Sequence, residues 1–331
     1  MTLSSTNLDD IQLWTSCHGC GAAPIIGTRF ECQDCPLGPD IDLCGDCYQS
    51  YLNDQLEHPS PELSVQAGAK VPPNRKHTFI EKKGTSYDVD HLDKWLKIPL
   101  IGHKPPSLER RFVVRPVITA GRDYVLGSCA FAVEYNDKLF AITALHVLDE
   151  LIKKRNINTA ENQFSGEELP AIISEVDLYD VFATNWMTTR LGQASNMVVL
   201  PDSRLHEEEP KSDNDIAAFR VTDVGTLKPA RLAKQVPGVG ENIWLVFIDN
   251  KIKRGSLYPA VVVDKSDDRF IFKFDLDVKV PKGSSGAPLI NAAGEVVAIN
   301  VGGGCYMGYE FGHGNHVNNI CRHLDNVQVE L

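Results

Sequence analysis

The chain has 331 residues and a mass of 36.6 kDa, which is enough for two domains with separate cores. Its formal net charge of -11 argues against nucleic acid as the main partner, because phosphate binding relies on concentrated Lys and Arg. No run approaches the roughly 20 apolar residues of a membrane helix, and the N-terminal residues lack the features of a secretory signal, so we expect a cytoplasmic protein with no membrane partner.

Three Cys-x-x-Cys pairs stand close together near the start of the chain. Each pair can supply two thiolates to one zinc tetrahedron, but six thiolates do not fill two tetrahedra. His58 and His77 are the candidates for the two missing ligands, whereas His18 is expected to point away from the first pair. The candidate thiolates are Cys17, Cys20, Cys32, Cys35, Cys44 and Cys47.

These cysteine pairs, together with the stretches from Gly27 to Cys32 and from Ile41 to Cys47, resemble a ZZ-type zinc finger over residues 14–81. The resemblance implies two zinc ions in a cross-brace. One would be held by Cys17, Cys20, Cys44 and Cys47, and the other by Cys32, Cys35, His58 and His77. The interval between the two histidines is longer than is usual in the family.

The zinc ions are expected to be structural, because so small a domain cannot bury enough apolar surface to fold alone. ZZ modules as a family bind protein segments, often exposed N-termini. The acidic side chains near the cysteines are either a site for a peptide amine or a basic side chain, or ordinary solvated charge; they are Asp34, Asp40, Asp42 and Asp46.

Residues 82–107 are predicted to be a linker with one short helix from His91 to Leu96. The remaining cysteines are predicted to be small core residues in a reducing compartment rather than a disulfide framework. They are Cys129, Cys305 and Cys321.

Short apolar runs separated by turn residues predict an all-β region from residue 108 to 331. We expect a helix over 315–324, and surface or packing roles for His313 and His316. The stretch 153–205 is predicted to hold an inserted hairpin or a lid. The predicted strands are 111–118, 129–135, 138–144 and 216–221 in a first series, and 242–248, 258–264, 270–274 and 295–301 in a second.

One serine in this region lies between glycines, in Gly283-Ser284-Ser285-Gly286. Glycines there leave room for an acyl carbonyl to approach the backbone. Ser285 is therefore a candidate nucleophile, and the amides of Gly283 and Ser285 are candidate oxyanion donors. Taken alone, the same residues would be an ordinary flexible turn.

Two further residues could complete the chemistry. His146 follows the apolar run 140–144, which would be a rigid mount for a general base; taken alone, the motif favours a core histidine that caps a strand. Asp215 is the last acid before the run 216–221 and could hold an imidazole in one tautomer. Asp202 and Asp213 are the alternatives in the preceding loop.

The order His146, Asp215, Ser285, with strand-like flanks, resembles the trypsin-like (chymotrypsin-fold) serine peptidases over residues 108–331. The resemblance implies a mainly β fold with two six-stranded barrels and a catalytic cleft between them. It also implies a serine endopeptidase that acts on protein or peptide substrates through an acyl-enzyme, and the features of the N-terminus lead us to expect this enzyme to be intracellular. The alternative is a catalytically silent adaptor whose zinc module binds protein segments.

Two details refine what the resemblance implies. Ser284 stands where the digestive enzymes have an aspartate, so we do not expect activation by N-terminal trimming. We expect instead that the zinc module or the substrate controls activity. The substrate-binding residues are expected to be Lys279, Lys282, Val301 and Gly302. An inward Lys279 would favour an acidic substrate side chain, whereas a solvated one would not.

Overall fold

In the computed structural model the chain divides into two compact units. The first comprises Met1–Lys97 with Gly303–Tyr309, and the second comprises Ile98–Gly302 with Glu310–Leu331. The structure describes residues 11–35, 41–59, 76–82, 87–102, 104–107, 110–148, 151, 168–183, 189–198, 215–249, 254–266, 269–276, 278 and 283–325.

The N-terminal module of the first unit is built from very short strands around a small core. β3 lies between β4 and β5, and the buried side chains include Ile25, Leu43, Tyr51 and Phe79. A core of this size is consistent with the expected need for metal ligation. The elements are β1 (Ile11–Gln12), β2 (Ile25–Ile26), β3 (Arg29–Cys32), β4 (Asp42–Cys44), α1 (Gly45–Leu52) and β5 (Phe79–Lys82).

The expected short helix in the linker is confirmed as α2 (Val89–Lys97). Leu92 and Trp95 are three residues apart, so they share one face of the helix, and both are buried. Tyr87 contacts the Trp95 ring, with the two ring centroids 4.9 Å apart.

The first barrel belongs to the second unit, and its sheet has the order β10-β11-β12-β9-β8-β6-β7. Because β10 also pairs with β6, the six strands from β10 to β6 in this order close into a barrel. β7 lies outside the closed barrel and forms an antiparallel hairpin with β6. Buried and partly exposed residues alternate along β6, as the period of two in a strand requires. The strands are β6 (Val113–Ala120), β7 (Asp123–Leu126), β8 (Ala130–Tyr135), β9 (Lys138–Thr143), β10 (Glu175–Asp180), β11 (Arg190–Met197) and β12 (Ala217–Asp223).

The described parts of the stretch 153–205, residues 168–183 and 189–198, belong to this barrel, so its interpretation as an insertion or lid needs correction. It supplies α3 (Glu168–Ile172) and the antiparallel pair β10 and β11. This pair is a hairpin, but each strand also pairs with a strand outside it, β10 with β6 and β11 with β12. The two strands are needed to close the barrel. Residues 152–167 and 184–188 lie outside the described part of the chain.

The second barrel closes in the order β13-β14-β15-β18-β17-β16. Its core contains Trp244 and the rings of Phe270, Phe272 and Phe274, which pack edge to face. The elements are β13 (Asn242–Asp249), β14 (Arg254–Lys265), β15 (Arg269–Phe274), β16 (Pro288–Ile290), β17 (Val296–Tyr306), β18 (Tyr309–His316) and α4 (Val317–Asp325).

The expectation of a mainly β fold with two six-stranded barrels is therefore confirmed. The C-terminal helix begins at Val317 rather than Asn315, because Asn315 and His316 are the last residues of β18. Among the described residues, no helix combines the length and apolarity needed to span a bilayer.

Candidate active site and metal clusters

His146 and Asp215 are brought together by the pairing of two strands of the first barrel. His146 lies in a 3-10 turn, Leu145–Leu148, just after β9, and Asp215 lies just before β12. These strands pair with Ala217 opposite Thr143, so the end of one meets the start of the other. The Nδ1 atom of His146 is 2.7 Å from Oδ2 of Asp215, and the His146 amide donates to Oδ1 at 2.9 Å.

The electrostatics of this pair favour an ionised carboxylate. Burial alone would raise the pKa of Asp215, but the charge of the His146 ring and the two hydrogen bonds from His146 outweigh it. The pKa of Asp215 is therefore below its ordinary value. A carboxylate at Nδ1 keeps the ring proton on that nitrogen and leaves the lone pair on Nε2, as a general base requires.

Ser285 lies in the turn that leads into β16. Gly283 and Gly286 have φ angles of +89° and +82°, a region that disfavours side chains. A Cβ atom at Gly286 would overlap with Cys129 O and with Oγ1 of Thr143. The turn is thus packed against Thr143, the last residue of β9, which is three residues before His146. The Ser285 hydroxyl donates to Val301 O at 3.4 Å.

Sequence reasoning missed two residues of the second barrel that approach Asp215. The side-chain amide of Asn315 donates to Asp215 O at 3.3 Å. His313 is buried, and burial together with the charge of Arg269 lowers the pKa of His313 to about 4, so the ring is neutral at physiological pH. Residues 311–316 of β18 are all buried, but the glycines and polar residues in this run concealed that burial in the sequence.

The expected substrate-binding residues divide into described and undescribed ones. Val301 is buried on β17, and a Cβ atom at the next residue, Gly302, would lie 2.5 Å from Nε2 of His313. Lys279 and Lys282 lie outside the described residues, as do the alternative acids Asp202 and Asp213.

The cysteines and histidines of the N-terminal module form two clusters, each with four ligand atoms within 4.8 Å of one another. Ligands at 2.0 to 2.3 Å from a tetrahedral zinc ion would be roughly 3.3 to 3.8 Å apart. Two separations in the second cluster fall in this range. Cys32 Sγ is 3.4 Å from Nδ1 of His77, and Cys35 Sγ is 3.7 Å from Nε2 of His58. The clusters are Cys17, Cys20, Cys44 and Cys47, and Cys32, Cys35, His58 and His77.

The residues around the clusters suit zinc as well. Tyr51 of α1 donates its hydroxyl to His77 O at 3.3 Å, which helps to hold that histidine beside the cysteines. Burial alone would raise the pKa of Cys17, but hydrogen bonds from backbone amides lower it to about 7, whereas burial raises the pKa of Cys44 and of Cys47 in the same cluster. His18 is not in either cluster and accepts a hydrogen bond from the Asp42 amide at 3.1 Å.

Two of the acidic residues considered for a peptide amine already have partners. The Asp42 side chain is 5% exposed and lies 2.7 Å from Arg29 Nε, so its interpretation as solvated charge or as an open amine site is wrong. Asp34 accepts the Thr78 amide at 2.6 Å. Asp46 lies in the first turn of α1, and Asp40 lies outside the described residues.

Comparison with known proteins gives matches to both parts of the chain. The model of the trypsin-like peptidase domain matches residues 127–299, more than half of the chain, and that of the ZZ-type zinc finger matches residues 14–58. The E3 ubiquitin-protein ligase PRT1 of Arabidopsis thaliana is 42% identical over 41 residues, which are 12% of this chain. The chain spans only 10% of that relative's length.

Solved structures with a similar fold include two bacterial proteases. The active form of the Rv3671c protease from M. tuberculosis is 15% identical with a TM-score of 0.42, covering 70% of this chain and 92% of its own. The serine endoprotease from Yersinia pestis is 15% identical with a TM-score of 0.41, covering 67% of this chain and 64% of its own. On the match of its family model, the chain belongs to the trypsin-like peptidase family, with a ZZ-type zinc finger on the N-terminal side of the peptidase domain.

Proposed function

We propose that the chain is a serine endopeptidase that hydrolyses peptide bonds through an acyl-enzyme. The observation that carries this proposal is the pair formed by His146 and Asp215, with the turn of Ser285 packed beside the same strand end. His146, Asp215 and Ser285 would be the catalytic residues, and the amides of Gly283 and Ser285 would form the oxyanion hole.

In this mechanism Nε2 of His146 takes the proton from the Ser285 hydroxyl as Oγ attacks the substrate carbonyl. The C–N bond then breaks, the proton passes to the leaving amine, and an ester remains on Ser285. A water molecule, activated by the same imidazole, hydrolyses the ester and restores the serine. Asp215 stays ionised throughout and stabilises the imidazolium, in agreement with its lowered pKa.

The substrate would bind as an extended strand along Val301 and Gly302, since glycine backbone leaves its polar groups accessible for strand pairing. Lys279 and Lys282 are further candidates for substrate contact. The neutral His313 ring next to Gly302 adds no positive charge there near pH 7, so a preference for acidic substrates would have to come from the lysines.

The zinc finger would hold two structural zinc ions and recruit protein segments or regulate the peptidase. The ligands would be the two clusters described above, and the separations in the second cluster suit tetrahedral zinc. We also propose a cytoplasmic location, because a reducing compartment preserves thiols and none of the nine cysteines of this chain, all of them among the described residues, forms a disulfide.

The test is hydrolysis of an unfolded protein, casein, by the full zinc-loaded chain and by Ser285→Ala. Loss of the nucleophile is expected to lower turnover on the order of a millionfold. Activity of Ser285→Ala close to that of the natural sequence would overturn the assignment. No turnover by either protein, with retained binding of peptides to the zinc finger, would favour the adaptor.

A further inference from the structure

The turn that carries Ser285 is held by one buried asparagine of the neighbouring strand. Asn300 lies on β17 and is 3% exposed. Its side-chain amide donates to Ser284 O at 3.0 Å and lies 3.1 Å from the Ser284 hydroxyl. Asn300 thus contacts both the main chain and the side chain of the residue before the nucleophile.

The main chain of Asn300 holds the other side of the same turn. Its amide donates to Ala287 O at 2.8 Å, and its carbonyl accepts from the Gly286 amide at 2.9 Å. Within the turn, the Ala287 amide donates to Ser284 O at 3.0 Å. Ser284 O therefore receives two donors, and the residues on both sides of Ser285 are tied to Asn300.

The direction of Ser284 O also sets the direction of the Ser285 amide. The two groups belong to one planar trans peptide, so the N–H points opposite to the C=O. A donor that fixes the carbonyl towards the core therefore fixes the N–H away from it. The Ser285 amide takes no part in the hydrogen bonds above, and it is one of the two oxyanion donors in the proposed function.

We propose that Asn300 is a positioning residue that orients the oxyanion donor of Ser285 through the Ser284 carbonyl. This inference rests on the proposed function. The digestive enzymes have a charged aspartate at the position of Ser284, whereas here a neutral and buried amide of the adjacent strand holds the turn. The arrangement needs no newly formed N-terminus, so the turn is oriented in the chain as synthesised.

The test compares three variants with the natural sequence. Asn300→Ala removes the donor, and Asn300→Asp keeps its size but presents carboxyl oxygens to the Ser284 carbonyl. Ser284→Ala removes only the hydroxyl and leaves the bond to Ser284 O. Asn291→Ala is the matched control, because Asn291 orders a different turn by accepting the amides of Ala293 and Glu295.

The readouts are kcat and KM for a peptide taken from a mapped casein cleavage site, and the affinity of a peptide aldehyde of the same sequence. We expect Asn300→Ala and Asn300→Asp to lower kcat about 10- to 100-fold with little change in KM, because the oxyanion forms only after attack. Affinity for the aldehyde, which forms a tetrahedral adduct, should fall in parallel. Ser284→Ala should lose less than about threefold, and Asn291→Ala should keep its kcat.

Amide hydrogen exchange of residues 283–287 separates this inference from the proposed function. Faster exchange in Asn300→Ala and Asn300→Asp but not in Asn291→Ala would support the anchor even if the natural chain has no turnover, a result that would contradict the proposed function alone. The inference would be overturned if Asn300→Ala and Asn300→Asp, both folded, exchanged these amides at the natural rate or had the same kcat as the natural sequence. Asn300→Asp supplies the answer if Asn300→Ala does not fold.

Discussion

Asp215 shows how a single residue determines the state of its neighbour. Its carboxylate accepts from both the ring and the main-chain amide of His146, so it fixes the tautomer and the orientation of the imidazole. Asp215→Asn would keep the shape but favour the wrong tautomer. We predict a loss in kcat of about 10⁴-fold with retained folding, measured by peptide hydrolysis and thermal unfolding. A decrease of less than tenfold would contradict the assigned role.

His313 gives a prediction about stability and pH. Burial and the charges of Arg269 and His146 lower its pKa to about 4, and Asp215 opposes this shift. Between the unfolded pKa of 6.5 and about 4, the unfolded chain binds a proton that the folded chain does not. This contribution to stability is complete above the unfolded pKa and is lost as the pH falls through this window.

The size of the effect is on the order of 3 kcal/mol over the whole window. We predict that His313→Gln, which cannot titrate, has a flatter dependence of unfolding free energy on pH. Urea unfolding of the zinc-loaded proteins at neutral pH and near pH 5 measures the difference. The comparison with the natural sequence cancels the contributions of groups that do not interact with His313. Parallel pH dependences of the two proteins would contradict the prediction.

At the residue level, the sequence predicted contacts where a residue type and its neighbours restrict the chemistry. The paired cysteines fall into the two clusters, and the acid before the apolar strand 216–221 lies against the His146 ring. Asn300 and Asn315 were missed because their importance depends on which main-chain atoms they reach. Such contacts link residues far apart in the chain, so no local pattern reveals them.

The turn between Gly283 and β16 gives a prediction at the level of an element. Gly286→Ala introduces a Cβ both at positive φ and into the space of Cys129 O and Thr143 Oγ1. Gly240→Ala is the control, because Gly240 has a φ of +88° but no atom within 4 Å of the added Cβ. Both variants pay the cost of the backbone conformation, of order 1 kcal/mol or more.

We therefore predict that only Gly286→Ala loses activity, by more than tenfold, and that it unfolds at a lower temperature than Gly240→Ala. Peptide hydrolysis and thermal unfolding of the two variants are the measurements. Equal activities would show that the close packing of this turn against β9 is not needed for its function.

Some strands can be predicted from the sequence because they are apolar runs, whereas others cannot because polar residues interrupt them. β8, β9 and β15 are runs of apolar residues, because they are buried on most positions. β10 and β11 are interrupted by acidic and polar residues such as Glu175, Asp177 and Gln193, whose side chains face away from the core. Their strand character depends on pairing with β6 and β12, which a local reading of the chain does not include.

At the level of the whole molecule, the N-terminal module combines a small apolar core with two clusters of possible metal ligands, whereas the barrels have large apolar cores of their own. We predict that chelation unfolds the N-terminal module and leaves the barrels folded, because zinc ligation supplies the free energy that the small core lacks. Limited proteolysis should then cut first within this module. Retention of the module without metal would contradict a structural role for zinc.

Native mass spectrometry gives the metal count directly. The natural chain should hold two zinc ions, and Cys47→Ser at most one tightly bound ion. Cys321→Ser is the control, since Cys321 lies outside both clusters, and it should keep two. Two ions in Cys47→Ser would show that the clusters are not the zinc ligands.

The central claim is that Ser285 is a nucleophile activated by His146 and Asp215. Intact-mass analysis after treatment with a fluorophosphonate tests it most directly, because this reagent bonds covalently to activated serines. We predict one adduct per chain, mapped to Ser285, absent in Ser285→Ala and strongly reduced in His146→Ala. An unlabelled natural chain, or an adduct that persists in Ser285→Ala, would contradict the claim.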